Sequence, residues 1–320
     1  MACGVKVDVK RIEFVITKAC TSNCKHCSAD IDSSDSGGVK SEYAIDAIKK
    51  LARRYKVESI MTFGGEPLLY ADTVCKIHSA AKDCQIPGRA VITNGFFSKE
   101  NTKIESVAAA LCASGANNIF LSVDAFHQEH VSIEPVIHFA KSLLKNNVHN
   151  LRVHPAWLVS KDDKNPYNEE TRRLLKIFRN MGIEVSKGNL VFPAGNATKY
   201  LRKYFSPPQN VDLSIACGQM PYTTKLDEVS CVSIEPNGDL SLCAFSIGNI
   251  YKEDVLDILD RYDPHNDPAT SALLEGGAHK LLEYTDGIGL NVDVSDCYSS
   301  CQVCKKIMKL LKKDGGHARL

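Results

Sequence analysis

Apolar runs rich in β-branched and aromatic residues open at Arg11 (RIEFVIT), Ser59 (SIMTF), Arg89 (RAVIT), Asn118 (NIFLSV), Leu151 (LRVHPAWLV) and Glu184 (EVSKGNLVF). After a first, longer interval they recur about every 30 residues, the length of one strand-helix unit. Between them, apolar residues fall at three- and four-residue spacing over residues 43–55, 71–82, 103–114, 133–146 and 167–181, the signature of helices that bury one face. The last of these sets Arg172, Arg173, Lys176 and Arg179 against Leu174, Leu175 and Phe178, and Gly182 stands where a glycine ends a helix. Six such units predict an α/β fold with a parallel sheet and right-handed crossovers. The sheet should curve into a partial (β/α)6 TIM-like barrel over residues 8–205, because closure takes eight units and about 250 residues. Chemistry is then expected at the carboxyl ends of the strands, where the loops gather.

From residue 206 the pattern changes to turn-rich sequence (SPPQNVDLS). A hairpin follows in CVSIEPNGDLSLCAF, with Asn237-Gly238 as its turn, and then a helix over residues 254–262. A second, smaller and cysteine-rich domain is expected over residues 206–310, followed by a basic tail over residues 311–320 that caps the surface as a helix. Residues 30–40 (DIDSSDSGGVK) read as a mobile loop.

Charge excludes more than it names. The chain of 320 residues carries 39 basic and 38 acidic side chains, a net charge of +1, so binding to nucleic acid through a broad basic field is not expected. No stretch reaches the about 18–20 apolar residues that span a bilayer, and the first residues lack the apolar core of an export signal, so the expectation is a soluble, cytoplasmic protein without a membrane partner. In that setting 13 cysteines point to metal, catalysis or burial rather than disulfides. Three (Cys20, Cys24, Cys27) cluster directly after the first strand, and six (Cys217, Cys231, Cys243, Cys297, Cys301, Cys304) fall in the last third. Cys75, Cys84 and Cys112 read as small buried hydrophobes, and Cys3 as incidental.

Cys20, Cys24 and Cys27 form a C-x-x-x-C-x-x-C loop at the mouth of the expected barrel. Three thiolates leave one iron of a 4Fe–4S cluster free for an outside ligand, and a zinc site is the other reading of the same thiols. Thr62-Phe63-Gly64-Gly65-Glu66-Pro67 follows the second strand, Thr93-Asn94-Gly95 the third, and Ser122-Val123-Asp124 the fourth. In this order the motifs resemble the radical S-adenosylmethionine (radical SAM) superfamily. The resemblance implies a cluster on Cys20, Cys24 and Cys27 whose free iron holds the methionine end of S-adenosylmethionine. It further implies reductive cleavage of that cofactor to a 5′-deoxyadenosyl radical, and hydrogen abstraction from a C–H bond of the substrate. Gly64, Gly65, Glu66, Thr93, Asn94, Ser122 and Asp124 would contact the cofactor, His26 would sit near its adenine, and Ala197, in the segment over residues 192–197, would border it. His127, just after Asp124, reads equally as substrate-facing or as part of a helix start.

The later cysteines resemble the Twitch or SPASM extensions of that superfamily. One auxiliary 4Fe–4S cluster on Cys217, Cys243, Cys301 and Cys304 is implied, with Cys231 or Cys297 as alternative ligands and structural zinc as the plain alternative. The substrate would be a ribosomally made peptide undergoing epimerisation, thioether formation or another cross-link. In an epimerase Cys231 would return a hydrogen atom from the opposite face. A small-molecule dehydrogenase acting on an alcohol or aminosugar is the alternative, and a zinc-stabilised binding module a further one. A flavodoxin- or ferredoxin-type reductant is implied as partner. Neither a cobalamin-binding domain nor a leader-peptide-binding domain ahead of Cys20 is expected.

Overall fold

The computed structural model describes residues 4–29, 37–205, 211–220, 223–243 and 245–313. Eleven strands carry the fold: β1 (Lys6–Val15), β2 (Ser59–Phe63), β3 (Gly88–Thr93), β4 (Asn118–Leu121), β5 (Asn150–Val153), β6 (Ala156–Trp157), β7 (Glu184–Val185), β8 (Asn189–Leu190), β9 (Glu228–Ile234), β10 (Asp239–Leu242) and β11 (Phe245–Asn249). Nine form one sheet in the order β11-β10-β9-β1-β2-β3-β4-β5-β7, and β6 pairs with β8 apart from it. Strands β1 to β5 and β7 run parallel, as the repeat of strand and helix requires. The helices between them are α1 (Ser41–Arg54), α2 (Ala71–Asp83), α3 (Asn101–Ala113), α4 (Ala125–Gln128), α5 (Ile133–Lys145) and α6 (Pro166–Asn180), followed by the short α7 (Asn196–Tyr200).

Strand β1 shows how the sheet sorts its two faces. Val9, Ile12, Phe14 and Ile16 are fully buried against the helices, whereas Arg11, Glu13 and Val15 alternate onto the inner face and stay partly accessible. The helices answer with apolar stripes such as Ala44, Ala47, Ile48 and Leu51 on α1. Helix α6 ends as its sequence predicts. Gly182 has φ +74°, and the N–H groups of Gly182 and Ile183 donate to the carbonyls of Arg179 and Phe178 at 2.9 and 3.0 Å.

Two expected strands are each broken. LRVHPAWLV divides into β5 and β6 at Pro155, which has no N–H to continue a ladder. EVSKGNLVF divides into β7 and β8 at Gly188, whose φ of +74° turns the chain against the Pro155 carbonyl. The two broken pieces pair with each other as β6 and β8, and the chain after β8 goes on to pack Gly195 and Asn196 against Cys27 and Ser28.

The hairpin over residues 231–245 forms as expected, but it is not a separate sheet. Strand β9 runs parallel to β1 from Lys6↔Glu228 to Phe14↔Ile234, with an irregularity between Val7 and Arg11, so the hairpin extends the barrel sheet. An unpaired β1 edge would leave a row of backbone donors and acceptors exposed, and β9 satisfies them. Beyond it lie α8 (Val255–Arg261), α9 (Pro268–Gly287) and α10 (Ser300–Lys313). The sequence reading missed α9 because Gly276 and Gly277 interrupt its pattern, and they kink it. The basic end of the chain belongs to α10, which starts well before it and carries Cys301 and Cys304; residues 314–320 lie outside the described residues, as do most of the expected loop at 30–40 and the boundary segment 206–210. No helix among the described residues is long and apolar enough to cross a membrane.

Under β2, the fully buried His78 of α2 meets Thr62 Oγ1 through Nε2 at 3.0 Å, while its Nδ1 has no partner. Burial pushes this imidazole down to about 3, so the native state excludes a proton that the unfolded chain binds below about 6.5. Stability is therefore retained above that value and lost as pH falls. Between pH 7.5 and 5 this group should cost about 2 kcal/mol. Chemical denaturation of wild type and His78→Gln across that range should show a shallower acid slope in the variant; equal slopes would contradict the assignment.

Candidate functional site

The loop over residues 20–27 is held from two sides by backbone. On one side, the turn after β2 presses on the chain just before Cys20: Gly65 N donates to Thr17 O at 2.8 Å and Glu66 N to Ala19 O at 2.9 Å. A Cβ at Gly65 would overlap Ala19 O, and Gly64, at φ +139°, abuts Thr17 O. On the other side, Asn196 N donates to Cys27 O at 2.9 Å, its side-chain amide donates to Cys24 O at 3.1 Å, and Gly195, at φ +57°, packs on Cys27 and Ser28. Thr17 adds a local brace by accepting from Ala19 N at 3.0 Å and donating to Gly37 O at 2.9 Å.

Within this clamp the three thiols lie close enough that Cys24 feels Cys20 and Cys27, and Cys20 feels Cys27. Burial pushes Cys20 up to about 11 and also raises Cys24 and Cys27. Three thiolates side by side in such a place require a cation to hold them, which suits an iron–sulfur cluster. Sγ of Cys24 and ring nitrogens of His26 and His127 also lie within 4.8 Å of one another, a mixed set that would suit a single divalent ion. That set leaves Cys20 and Cys27 without a role, and His127 Nδ1 is already bonded to Asp124 Oδ1 at 2.8 Å. The donor set thus fits the cluster better.

The other expected cofactor contacts fall into two groups. Gly64 and Gly65 line the cleft at the barrel mouth. Glu66, Thr93 and Asn94 form a buried trio beneath it: Glu66 accepts from Thr93 Oγ1 at 2.7 Å, Asn94 N at 2.8 Å and Leu68 N at 2.9 Å. Burial pushes Glu66 up to about 7 against those bonds. Through Asn94 the trio reaches the loop, since Asn94 Nδ2 donates to Thr21 Oγ1 at 3.2 Å and approaches Cys20 Sγ at 3.8 Å. Ser122 is half-buried and donates its N–H to Thr93 O at 2.8 Å.

Asp124 is fully buried. It accepts from His127 N at 3.0 Å, capping α4, and from Ala156 N at 3.0 Å. Burial alone would raise its carboxyl, yet the His127 imidazole outweighs this and holds it well below the usual carboxylate range; against burial, Asp124 in turn raises His127. His26 packs on Phe126 and His127 at centroid distances of 4.8 and 4.9 Å, and burial pushes it down to about 4. Ala197 is fully buried in a small apolar cluster with Cys24 and Phe126.

A second set of thiols comes together in the C-terminal region. Cys217, Cys243, Cys301 and Cys304 line one cavity with Ile215, Phe245 and Leu273. Cys301 and Cys304 share one face at the start of α10, and Cys243 follows β10 at φ +54°. Cys217 is placed by its backbone neighbours: Gly277, in the kink of α9, packs on Ile215 O, and Ser300 Oγ donates to Asp212 O at 2.5 Å. Burial pushes Cys217 up to about 11 and raises Cys301 and Cys304, and the other three thiols add to the rise at Cys304. A four-thiolate cluster and a tetrahedral zinc ion both fit this donor set.

Two alternatives from the sequence are placed elsewhere. Cys231 faces Arg11 across β9 and β1, one inward position deeper than Ser233, which lines the cleft; Cys231 does not, and burial pushes it up to about 12. Cys297 is buried and lines the cleft, apart from the four-thiol cavity. The cleft itself encloses about 1230 Å³ and runs from Ser28 and Ala29, beside Cys27, to Cys243. Gln302, one residue after Cys301, donates its amide to Pro193 O and so ties α10 to the segment that clamps Cys27. Sequence reading missed Thr17, Gln302 and the lysines of the cleft, which carry no motif. Only the position of Thr17 at the end of the first strand marked it as a rim residue.

Residues 14–203 match the family model of the radical SAM superfamily, well over half of the chain, and the protein belongs to that superfamily. Among curated proteins it is similar to the "Probable GTP 3′,8-cyclase" of Methanocaldococcus jannaschii, 29% identical over 122 residues, a match that spans 38% of this chain and 39% of that relative. A protein of the same description from Saccharolobus solfataricus is 22% identical over 284 residues, covering 78% of this chain and 86% of the relative. Among solved structures, a histidine-tagged anSMEcpe with bound AdoMet aligns over 96% of this chain and 97% of that one, with a TM-score of 0.53 at 14% identity. That likeness speaks for the fold.

Gly65→Ala tests the clamp. Its Cβ has no room against Ala19, so the variant should lose at least about 2 kcal/mol of stability and retain less iron after anaerobic reconstitution. Gly287→Ala, where a Cβ meets nothing, serves as control and should change neither. A Gly65→Ala protein with wild-type melting and iron content would contradict the clamp.

Proposed function

We propose that this radical SAM enzyme binds a 4Fe–4S cluster through Cys20, Cys24 and Cys27, and that it removes a hydrogen atom from a substrate held in the cleft. The observation that carries this reading is the three-thiol loop, gripped between the turn at Gly64 and Gly65 and the turn at Gly195 and Asn196, at the carboxyl ends of the parallel strands. With S-adenosylmethionine and an electron from an external flavodoxin- or ferredoxin-type donor, such a cluster supplies a 5′-deoxyadenosyl radical. The chain's own part is to position and to exclude water. Glu66 fixes the Asn94 turn against the loop, Asp124 orients His127 and anchors the β6 backbone, and the neutral His26, packed on Phe126, offers a flat apolar face for an adenine. Gly64 and Gly65 line the cleft and would leave bare backbone for the cofactor's methionine end to approach.

The same proposal assigns a second 4Fe–4S cluster to Cys217, Cys243, Cys301 and Cys304. Zinc would satisfy the same thiols, but Cys243 lines both the four-thiol cavity and the cleft, so a redox-active group there would sit beside the substrate and could accept or supply an electron. Of the substrate classes the sequence left open, the peptide epimerase draws no support from Cys231, which lies below the cleft. A small molecule oxidised or rearranged between the two thiol sets suits a cleft that runs from Ser28 and Ala29 to Cys243 better.

Iron counting separates these assignments. Anaerobically reconstituted wild type should hold about eight irons per chain, and about four should remain when either thiol set is replaced by alanine. Dithionite should then yield deoxyadenosine only from proteins that keep Cys20, Cys24 and Cys27. Zinc in place of the second set of irons would overturn the auxiliary assignment, and deoxyadenosine from the Cys20/Cys24/Cys27 variant would overturn the first.

A further inference from the structure

Four cations from two helical regions line the cleft. Lys199 comes from α7, Arg202 from just after it, and Lys305 and Lys309 from consecutive turns of α10. The amide of Gln302 on Pro193 O joins these two regions, so the charges gather where α10 meets the segment before α7. All four side chains belong to exposed residues, and among the described residues none of them is in an ion pair. Two acidic groups of the wall are already held in ion pairs, Glu13 with Arg11 at 2.7 Å and Asp296 with Lys306 at 2.7 Å. On a chain of net charge +1, such a concentration of cations outside the ion pairs of the described residues is local, and a concave wall focuses its field.

The geometry points to an anion subsite here: the substrate is a small molecule bearing a phosphate or polyphosphate group, which Lys199, Arg202, Lys305 and Lys309 hold. This rests on the reading of the cleft as the substrate site. The planar guanidinium of Arg202 pairs with two phosphate oxygens at once, and ammonium groups on either side neutralise the remaining charge. A compact polyanion matches charges gathered at one junction better than an extended acidic peptide, whose carboxylates are spread along a strand. Lys305 also lines the four-thiol cavity, so a group bound at this end lies beside the second thiol set, with the rest of the molecule directed along the cleft towards Cys27.

The test is anaerobic titration calorimetry of the reconstituted protein with inorganic tripolyphosphate and, separately, with hexaglutamate. Tripolyphosphate should bind, weaken as salt is raised, and bind at least about tenfold more weakly to the Lys199→Gln/Arg202→Gln/Lys309→Gln protein. A Lys49→Gln/Lys103→Gln/Lys141→Gln protein, altered on the outer helices α1, α3 and α5, should bind as wild type does. Equal weakening in both variants, or no binding to wild type, overturns the subsite. Hexaglutamate binding more tightly than tripolyphosphate overturns the phosphate assignment in favour of an acidic peptide. Deoxyadenosine formation by the same wild-type preparation reports on the radical reading separately, so its failure is not confused with failure of the subsite.

Discussion

The structure depends on a close approach of backbone to backbone that only glycine permits. A loop carrying three thiols has little reason of its own to hold one shape, since residues 20–27 contain no helix or strand. Its shape is imposed from outside, by peptide groups of the turn after β2 on the side of Thr17 and Ala19 and by Gly195 and Asn196 on the Cys27 side. Side chains there would push the loop away. Buried peptide groups, once paired, hold it without the rotamer freedom a side-chain contact would leave.

The same logic runs through the C-terminal region. Gly277 breaks α9 so that its second half packs on Ile215 O, and this fixes the segment that leads to Cys217. Strand β9 then joins this region to β1, and Gln302 joins α10 to the segment before α7. The two thiol sets are therefore tied through one continuous sheet, and the cleft runs from Ser28 and Ala29 to Cys243.

Much of the fold was legible in the chain because its parallel strands and outer helices obey simple periods. The alternation of Ile12, Phe14 and Ile16 with Arg11, Glu13 and Val15, and the stripes on α1 and α6, were sufficient to place strands, helices and the inner face. The thiol sets were legible for a different reason, since cysteine spacing carries chemistry directly. What stayed hidden depends on contacts distant in sequence. That β9 would pair with β1 needs the tertiary fold, and so does the fate of Cys231, which a single register places below the cleft instead of in it. Asp124 and Glu66 were visible as motif residues, but their full burial and their bonds to backbone N–H groups of distant segments were not. Lys199, Arg202, Lys305 and Lys309 belong to no motif and become a group only when α10 folds back over the barrel.

The central claim is that the two thiol sets differ in kind: one leaves a ligand position open to an outside molecule, the other is closed by the protein. Low-temperature electron paramagnetic resonance of the reduced protein, recorded with and without S-adenosylmethionine, addresses this directly. The signal that disappears in the Cys20/Cys24/Cys27→Ala protein should shift when the cofactor is added, and the signal that disappears in the Cys217/Cys243/Cys301/Cys304→Ala protein should stay unchanged. A cofactor-dependent change confined to the second signal, or absent from both, would contradict the account.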